Sequence, residues 1–215
     1  MSVAGLKPVP ESLTRETFGK AILHLAKLDP DLSRVISVFG HPPMWRRKPG
    51  FPTLVLIILE QQVSLASARA AFARLREAAN PLTPESFLDF SDRKLKLIGF
   101  SRQKALYCRD LARAILRGDL NLPKLRKLGD SAARSRLLEL KGIGNWTADI
   151  YLMMAMLRPD IWPSGDLALA RATQEVKGLP SRPRPEELDE IARPWQPWRA
   201  VAARILWHHY LSKDK

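Results

Sequence analysis

Apolar residues recur along this chain at the three- and four-residue spacing of helices that bury one face. From Phe18, the residues Ala21, Ile22, Leu25 and Leu28 keep that spacing; Leu65, Ala68, Phe72 and Leu75 repeat it after a capping serine at Ser64. Strict apolar–polar alternation and Asn-Gly hairpin turns do not occur, so the pattern predicts no sheet. Proline follows Asp29, Thr83 and Leu122, in each case where a first helical turn is predicted and a missing N–H costs nothing. The run Leu54 to Leu59 is apolar all round and predicts a central helix or a core strand, with Pro52 favouring a helix start. It ends abruptly at Glu60-Gln61-Gln62. Prolines at 180, 183, 185, 194 and 197 predict loops around one short helix near Glu186 to Ala192, followed by a last helix from Trp198 to Leu211. The expected fold class is all-α.

Charge narrows the choice of partner. Among 215 residues, 35 Lys and Arg face 22 Asp and Glu, a net charge of +13, which is the electrostatic footprint of a protein that meets nucleic acid or another anionic surface. Residues 91–141 hold 14 basic and 5 acidic side chains, a local net of +9, and are expected to include a phosphate-facing surface. Solvated helix faces are the plainer reading of any single lysine or arginine there. The single Cys108 excludes an internal disulfide. With the scattered His24, His41, His208 and His209 it builds neither a Cys-rich zinc site nor a four-cysteine iron–sulfur cluster. The longest strictly apolar run, Leu54 to Leu59, is far short of the about 20 residues needed to span a bilayer, and the amino terminus shows no signal-peptide core. A soluble protein of a reducing cytoplasm is expected.

Candidate chemistry concentrates in two places. In Leu140-Lys141-Gly142-Ile143-Gly144-Asn145-Trp146-Thr147-Ala148-Asp149, two glycines flank one apolar residue between helical segments, predicting a helix-hairpin-helix turn. Gly142 and Gly144 are both expected to allow positive φ and a close approach to phosphate. Ile143 would anchor the turn, and the next helix would offer free N–H groups at its positive end. Such a turn grips the DNA backbone without reading sequence. Alone, it reads equally well as an ordinary glycine-rich connection. Trp162-Pro163-Ser164-Gly165-Asp166-Leu167 then places an acid between a Pro/Gly-rich loop and a new helix, where an isolated Gly-Asp would be a plain N-cap.

Together with Glu60-Gln61-Gln62-Val63-Ser64, with Ile98-Gly99-Phe100-Ser101-Arg102-Gln103-Lys104-Ala105 and with Pro197-Trp198-Arg199, these segments resemble the helix-hairpin-helix glycine/proline/aspartate superfamily of DNA glycosylases. Within it, they are most similar to the 3-methyladenine DNA glycosylase II (alkylbase) branch, over residues 45–211. The resemblance implies a two-lobed all-α fold with a DNA cleft between lobes: a central lobe at 51–158 carrying the hairpin, and a second lobe of 1–50 plus 159–215 carrying the aspartate. It implies removal of alkylated bases (3-methyladenine, 7-methylguanine type) from duplex DNA by N-glycosidic hydrolysis in base excision repair. Asp166 takes the position of the catalytic aspartate, Trp146 and Trp207 the walls of the base pocket, and Gln62, with Gln61 an equal competitor, the wedge that fills the flipped base's place. Phosphate would be held by Gly142, Gly144, Lys141, Asn145, Thr147, Ser101, Arg102 and Lys104.

The position that carries a Schiff-base lysine in strand-cutting members is Trp146 here, so AP lyase activity is not expected. Leu167 and Ile150 stand where alkylbase enzymes can carry tyrosine, and Tyr151 is expected to point elsewhere. Helical patterning begins near residue 14, so the additional amino-terminal β domain of longer members is not expected. Trp195 and Trp198 are expected in the core, and the four histidines in surface or core roles. The implied partner is double-stranded DNA with a damaged base, with no membrane and the protein a monomer; the location is the cytoplasm, with the nucleoid if bacterial, or the nucleus if eukaryotic. No metal and no iron–sulfur cofactor is implied, while a structural monovalent cation at the hairpin backbone is left open. A non-catalytic helix-hairpin-helix DNA-binding module, and a glycosylase for uracil, oxidised or mismatched bases, are the alternatives.

Overall fold

The structure is a computed structural model that describes residues 12–213. Among these, every regular element is helical. The order runs α1 (Arg15–Leu28), α2 (Pro30–Phe39), α3 (Phe51–Glu60), α4 (Leu65–Ala78), α5 (Pro84–Leu88), α6 (Asp92–Ile98) and α7 (Arg102–Leu116). It continues through α8 (Leu122–Leu125), α9 (Asp130–Leu138), α10 (Asn145–Met154), α11 (Leu167–Lys177), α12 (Pro185–Ala192) and α13 (Arg199–Ser212), with a short 3-10 turn at Arg193–Trp195 before the last. No helix is long and apolar enough to cross a membrane among the described residues.

The prolines act as starts. Asp29 and Thr83 cap α2 and α5 with their side chains, each followed by proline at the first position, while Asn121 caps α8 ahead of Leu122 and Pro123. Ser64 caps α4 by accepting the Ser67 N–H at 3.2 Å. Leu28 and Leu65, both expected on buried faces, are instead 46% and 43% exposed, because each sits in the terminal turn of its helix, beyond the reach of the packing partner.

The chain divides into two compact units, one being Arg47–Ala155 and the other the described residues up to Arg46 together with those from Met156 onward. In the Arg47–Ala155 unit, α3 is the axis. It packs against α4, α7 and α10, and Phe51, Leu54, Val55, Ile57, Ile58 and Leu59 are all buried. Neighbours on several sides explain an apolar run without a polar stripe; the strand alternative for Leu54 to Leu59 is excluded. Each fully buried aliphatic side chain of this helix contributes about 1.5–3 kcal/mol. Its last residue, Glu60, is buried and held by a two-pronged Arg47 contact, Nη1 to Oε2 at 2.7 Å and Nη2 to Oε1 at 2.8 Å. Phe87 closes the other end against Phe51 and Phe100, with ring centroids 5.8 and 5.7 Å away.

In the other unit α13 is central, packed on α11, α2 and α1. Buried Asp29 joins three segments. It caps α2, accepts both carboxylate contacts of Lys177 Nζ at 2.8 and 2.6 Å, and accepts the Trp195 indole N–H at 2.8 Å. Trp195 is 1% exposed, the core role expected of it. Arg199 pairs with Asp160 through Nε at 2.9 Å and Nη2 at 2.8 Å, and the Ala200 N–H meets the Pro159 carbonyl at 3.0 Å. The chain leading to Asp166 is thereby fixed to the first turn of α13. Fully buried Arg204 donates to the Met44 and Ala200 carbonyls, and burial pushes its guanidinium down to about 10.

Candidate active site

The hairpin joins α9 to α10. Ile143 is buried, with its N–H on the Leu140 carbonyl at 3.1 Å, and Gly144 is the N-cap of α10. Only one of the two glycines has positive φ. Gly142 stands at φ 89, and a Cβ there would lie 2.1 Å from Cγ of Tyr107, so the position excludes every other residue on two grounds. Gly144 stands at φ −93 with open space where its Cβ would be. The expectation of positive φ at Gly144 is thus corrected; what it offers is an exposed, side-chain-free helix start. Across the hairpin, Arg134 Nη2 meets the buried Asp149 carboxylate at 2.8 Å.

Lys141 and Asn145 are exposed at the turn, and Trp146, in the first turn of α10, is half-buried. Thr147 is not available to a phosphate. It is 2% exposed, and its hydroxyl accepts the Gln61 amide at 2.9 Å. The same amide donates to the Gly142 carbonyl at 2.9 Å. Gln61 is therefore turned inward and bonded to the hairpin, whereas Gln62 is exposed and takes φ 56 at the apex of the α3–α4 turn. These partners set the two adjacent glutamines apart, and no local pattern announces them.

Lys104 also departs from expectation. Its Nζ donates to the carbonyls of Leu59 at 2.8 Å and Gln61 at 2.7 Å, and burial lowers its pKa. The ammonium caps α3 and does not face outward. Ser101 is the N-cap of α7, its hydroxyl accepting the Lys104 N–H at 3.2 Å, and Arg102 is exposed beside it. Much of the surrounding basic charge is spent internally: Arg109, Arg113, Arg117 and Arg136 pair with Asp92, Asp110, Asp119 and Glu139. Lys96, Arg102, Lys124, Lys127 and Lys141 remain exposed.

Asp166 and Trp207 come together in the other unit. Asp166 is the N-cap of α11; its Oδ1 accepts the Leu169 N–H at 2.7 Å and the Trp207 indole N–H at 3.1 Å. Pro163 fixes the approach, its carbonyl accepting the Asp166 N–H at 2.9 Å. One carboxylate oxygen is thereby held by a helix start and by a side chain of α13, an arrangement that can place negative charge at a defined point. Leu167, next in sequence, is 68% exposed, and Ile150 is buried. The Tyr151 hydroxyl accepts the Gly50 N–H at 3.2 Å, and burial pushes its pKa up to about 12. His208 meets the Phe39 carbonyl at 2.9 Å and His209 the Glu175 carboxylate at 3.2 Å, partners that account for both.

Residues 55–197 match the HhH-GPD superfamily of base excision DNA repair proteins. The chain belongs to that superfamily. Among its relatives, DNA-3-methyladenine glycosylase 1 of Schizosaccharomyces pombe is 27% identical over 196 residues, covering 87% of this chain and 86% of the relative. The solved structure of the Schizosaccharomyces pombe 3-methyladenine DNA glycosylase with abasic DNA superposes with a TM-score of 0.85 at 27% identity, over 91% of this chain and 98% of that one. A Clostridium acetobutylicum 8-oxoguanine glycosylase/lyase shares the fold at a TM-score of 0.78 and 18% identity, over 92% of this chain and 70% of that one.

Two residues of the site lay outside the sequence expectations. Tyr107 fills the space under Gly142 and receives the Gln103 amide on its hydroxyl at 2.6 Å. Arg47 holds Glu60. A tyrosine four residues after a glutamine on a predicted helix is the only local trace of the first; nothing local marks the second.

Proposed function

We propose that this protein is a monofunctional DNA glycosylase that removes alkylated bases from duplex DNA. The observation that carries the reading is the Asp166 carboxylate, fixed through Oδ1 by the Leu169 and Trp207 N–H groups in a chain of the HhH-GPD superfamily. The names of its relatives support the alkylated substrate.

In the proposed reaction the bond between C1′ and the base nitrogen breaks and its electrons leave with the base. The sugar is left as an oxocarbenium-like cation, which the Asp166 carboxylate stabilises. Water adds to C1′ and loses a proton, with the same carboxylate positioning it or accepting that proton. An alkylated purine already carries positive charge, so it departs without a general acid. Trp207 positions the carboxylate, and its ring offers aromatic surface to an electron-poor base, worth roughly 1–2 kcal/mol in a desolvated pocket. Gln62 takes the place of the flipped nucleotide. Gly142, Gly144, Lys141, Asn145, Ser101 and Arg102 hold phosphate. In this reading a monomer acts on damaged duplex without a cofactor.

The proposed absence of lyase activity rests on Trp146 in the first turn of α10, at the position that carries the Schiff-base lysine in strand-cutting members. A panel of duplexes with one damaged base each tests the reading. Alkylated, cationic bases should be released fastest, strands should stay intact until alkali cleaves the abasic site, and borohydride should trap no adduct. Asp166→Asn should abolish release while DNA affinity is kept. Binding without release of any base would favour the DNA-binding module, and preferential release of uracil or 8-oxoguanine would move the substrate class.

A further inference from the structure

The α3–α4 turn presents Gln62 on a backbone that a non-glycine residue seldom adopts, at φ 56, and it is flanked by bonds of its neighbour Gln61 and of Lys104, remote in sequence. Lys104 reaches from α7 to the Leu59 and Gln61 carbonyls, which the end of α3 leaves without helical partners. Gln61 reaches the opposite way, to the Gly142 carbonyl and Thr147 hydroxyl of the hairpin. Helix α7 completes the circuit, because its Tyr107 lies directly under Gly142. The turn, the hairpin and α7 thus form one braced unit, with Gln62 as its exposed apex.

We propose that Lys104 and Gln61 are positioning residues that lock the α3–α4 turn so that Gln62 can open a duplex, Lys104 serving as a clamp on the turn's carbonyls and not as a phosphate ligand. The proposal rests on the reading that this protein extrudes a base from duplex DNA. A side chain that displaces a stacked base is pushed back by the stack, so its backbone must be fixed from behind. A lysine ammonium, with three donors on a long stem, suits that role, since it satisfies two carbonyls pointing in different directions from a neighbouring helix. The unusual backbone at Gln62 persists because the carbonyl and the side-chain amide of the preceding Gln61 are both committed.

Lys104→Met keeps the stem and removes the ammonium, and is compared with the wild type in the native and the Gln62→Ala backgrounds. The readouts are 2-aminopurine fluorescence beside a mismatch, single-turnover release of an alkylated base, and the salt dependence of duplex affinity. In the native background, Lys104→Met should lower the unstacking signal and the release rate by about tenfold or more. In the Gln62→Ala background the same change should cost less than about twofold, because the residue it positions is gone. The salt slope should be unchanged. A slope shallower by about 0.9 would show a phosphate ligand, and equal losses in both backgrounds would show a general structural role; either overturns the proposal. If Lys104→Met does not fold, Gln61→Met removes the other brace and is held to the same outcomes. A wild type that releases no base overturns the proposed function, and the fluorescence comparison then decides the clamp by itself.

Discussion

The Trp207 indole N–H and the Leu169 backbone N–H converge on one oxygen of Asp166, at 3.1 and 2.7 Å, so an aromatic side chain of α13 sets the position of a carboxylate on α11. A tryptophan of this kind has two separable duties, its N–H and its ring. Trp207→Phe keeps a ring and removes the donor; it should slow base release on the order of tenfold, the worth of one hydrogen bond to a charged group, with little change in DNA affinity. Trp207→Ala should lose more and also destabilise the fold, by roughly 3–5 kcal/mol, since the residue is 8% exposed. Release rates and thermal unfolding separate the two.

The hairpin glycines should respond differently to a single methyl group. Gly142→Ala meets the Tyr107 ring at 2.1 Å on a backbone at φ 89, and should cost at least about 2 kcal/mol of stability. Gly144→Ala has room and ordinary φ, and should cost no more than about 1 kcal/mol as an N-cap change. It should instead weaken duplex binding, because the methyl stands at the helix start offered to phosphate. Chemical denaturation beside DNA titration gives both numbers.

Duplex affinity should fall steeply with salt, each neutralised phosphate adding about −0.9 to the log–log slope. Arg102→Ala and Lys141→Ala, at exposed positions, should each make it shallower, whereas Arg117→Ala, whose guanidinium is engaged by Asp119 at 2.8 Å, should change it little. Affinity titrations at several salt concentrations check this.

Acid should weaken the unit built on α13 through Asp29. Burial acts to raise its pKa, but the hydrogen bonds and charge of Lys177 and the Trp195 N–H outweigh it, leaving the carboxyl below its ordinary 3.8. A folded-state pKa below the unfolded one means that the stabilisation is complete above the unfolded value and is lost as pH falls through the folded value. Stability should therefore decline as pH drops below 3.8, and the Asp29→Asn variant should lack that part of the decline. At neutral pH the variant should be less stable by roughly 1.5–3 kcal/mol, because Lys177 keeps Asp31 at 3.0 Å but loses its charge-assisted contacts to Asp29. Unfolding curves from pH 7 downward measure both effects.

Whatever depends on neighbours along the chain was legible in the amino-acid sequence. Helical periodicity marked the buried faces of α1 and α4, and prolines after Asp29 and Thr83 marked starts that the caps confirm. The paired glycines marked the hairpin, and Gly165-Asp166 marked a carboxylate at a helix start. These signals can be read because φ preferences, capping and amphipathic spacing act within one or two turns. Long-range packing settled the rest: which of two adjacent glutamines faces outward, that Thr147 is buried, that Lys104 serves carbonyls 45 and 43 positions away, and that Trp207 reaches Asp166 across 41. In each case a flexible polar side chain had several chemically equivalent partners. Only the packing of α7 and α10 around α3, and of α11 against α13, brought one of them within 3 Å or so and left the others out of reach.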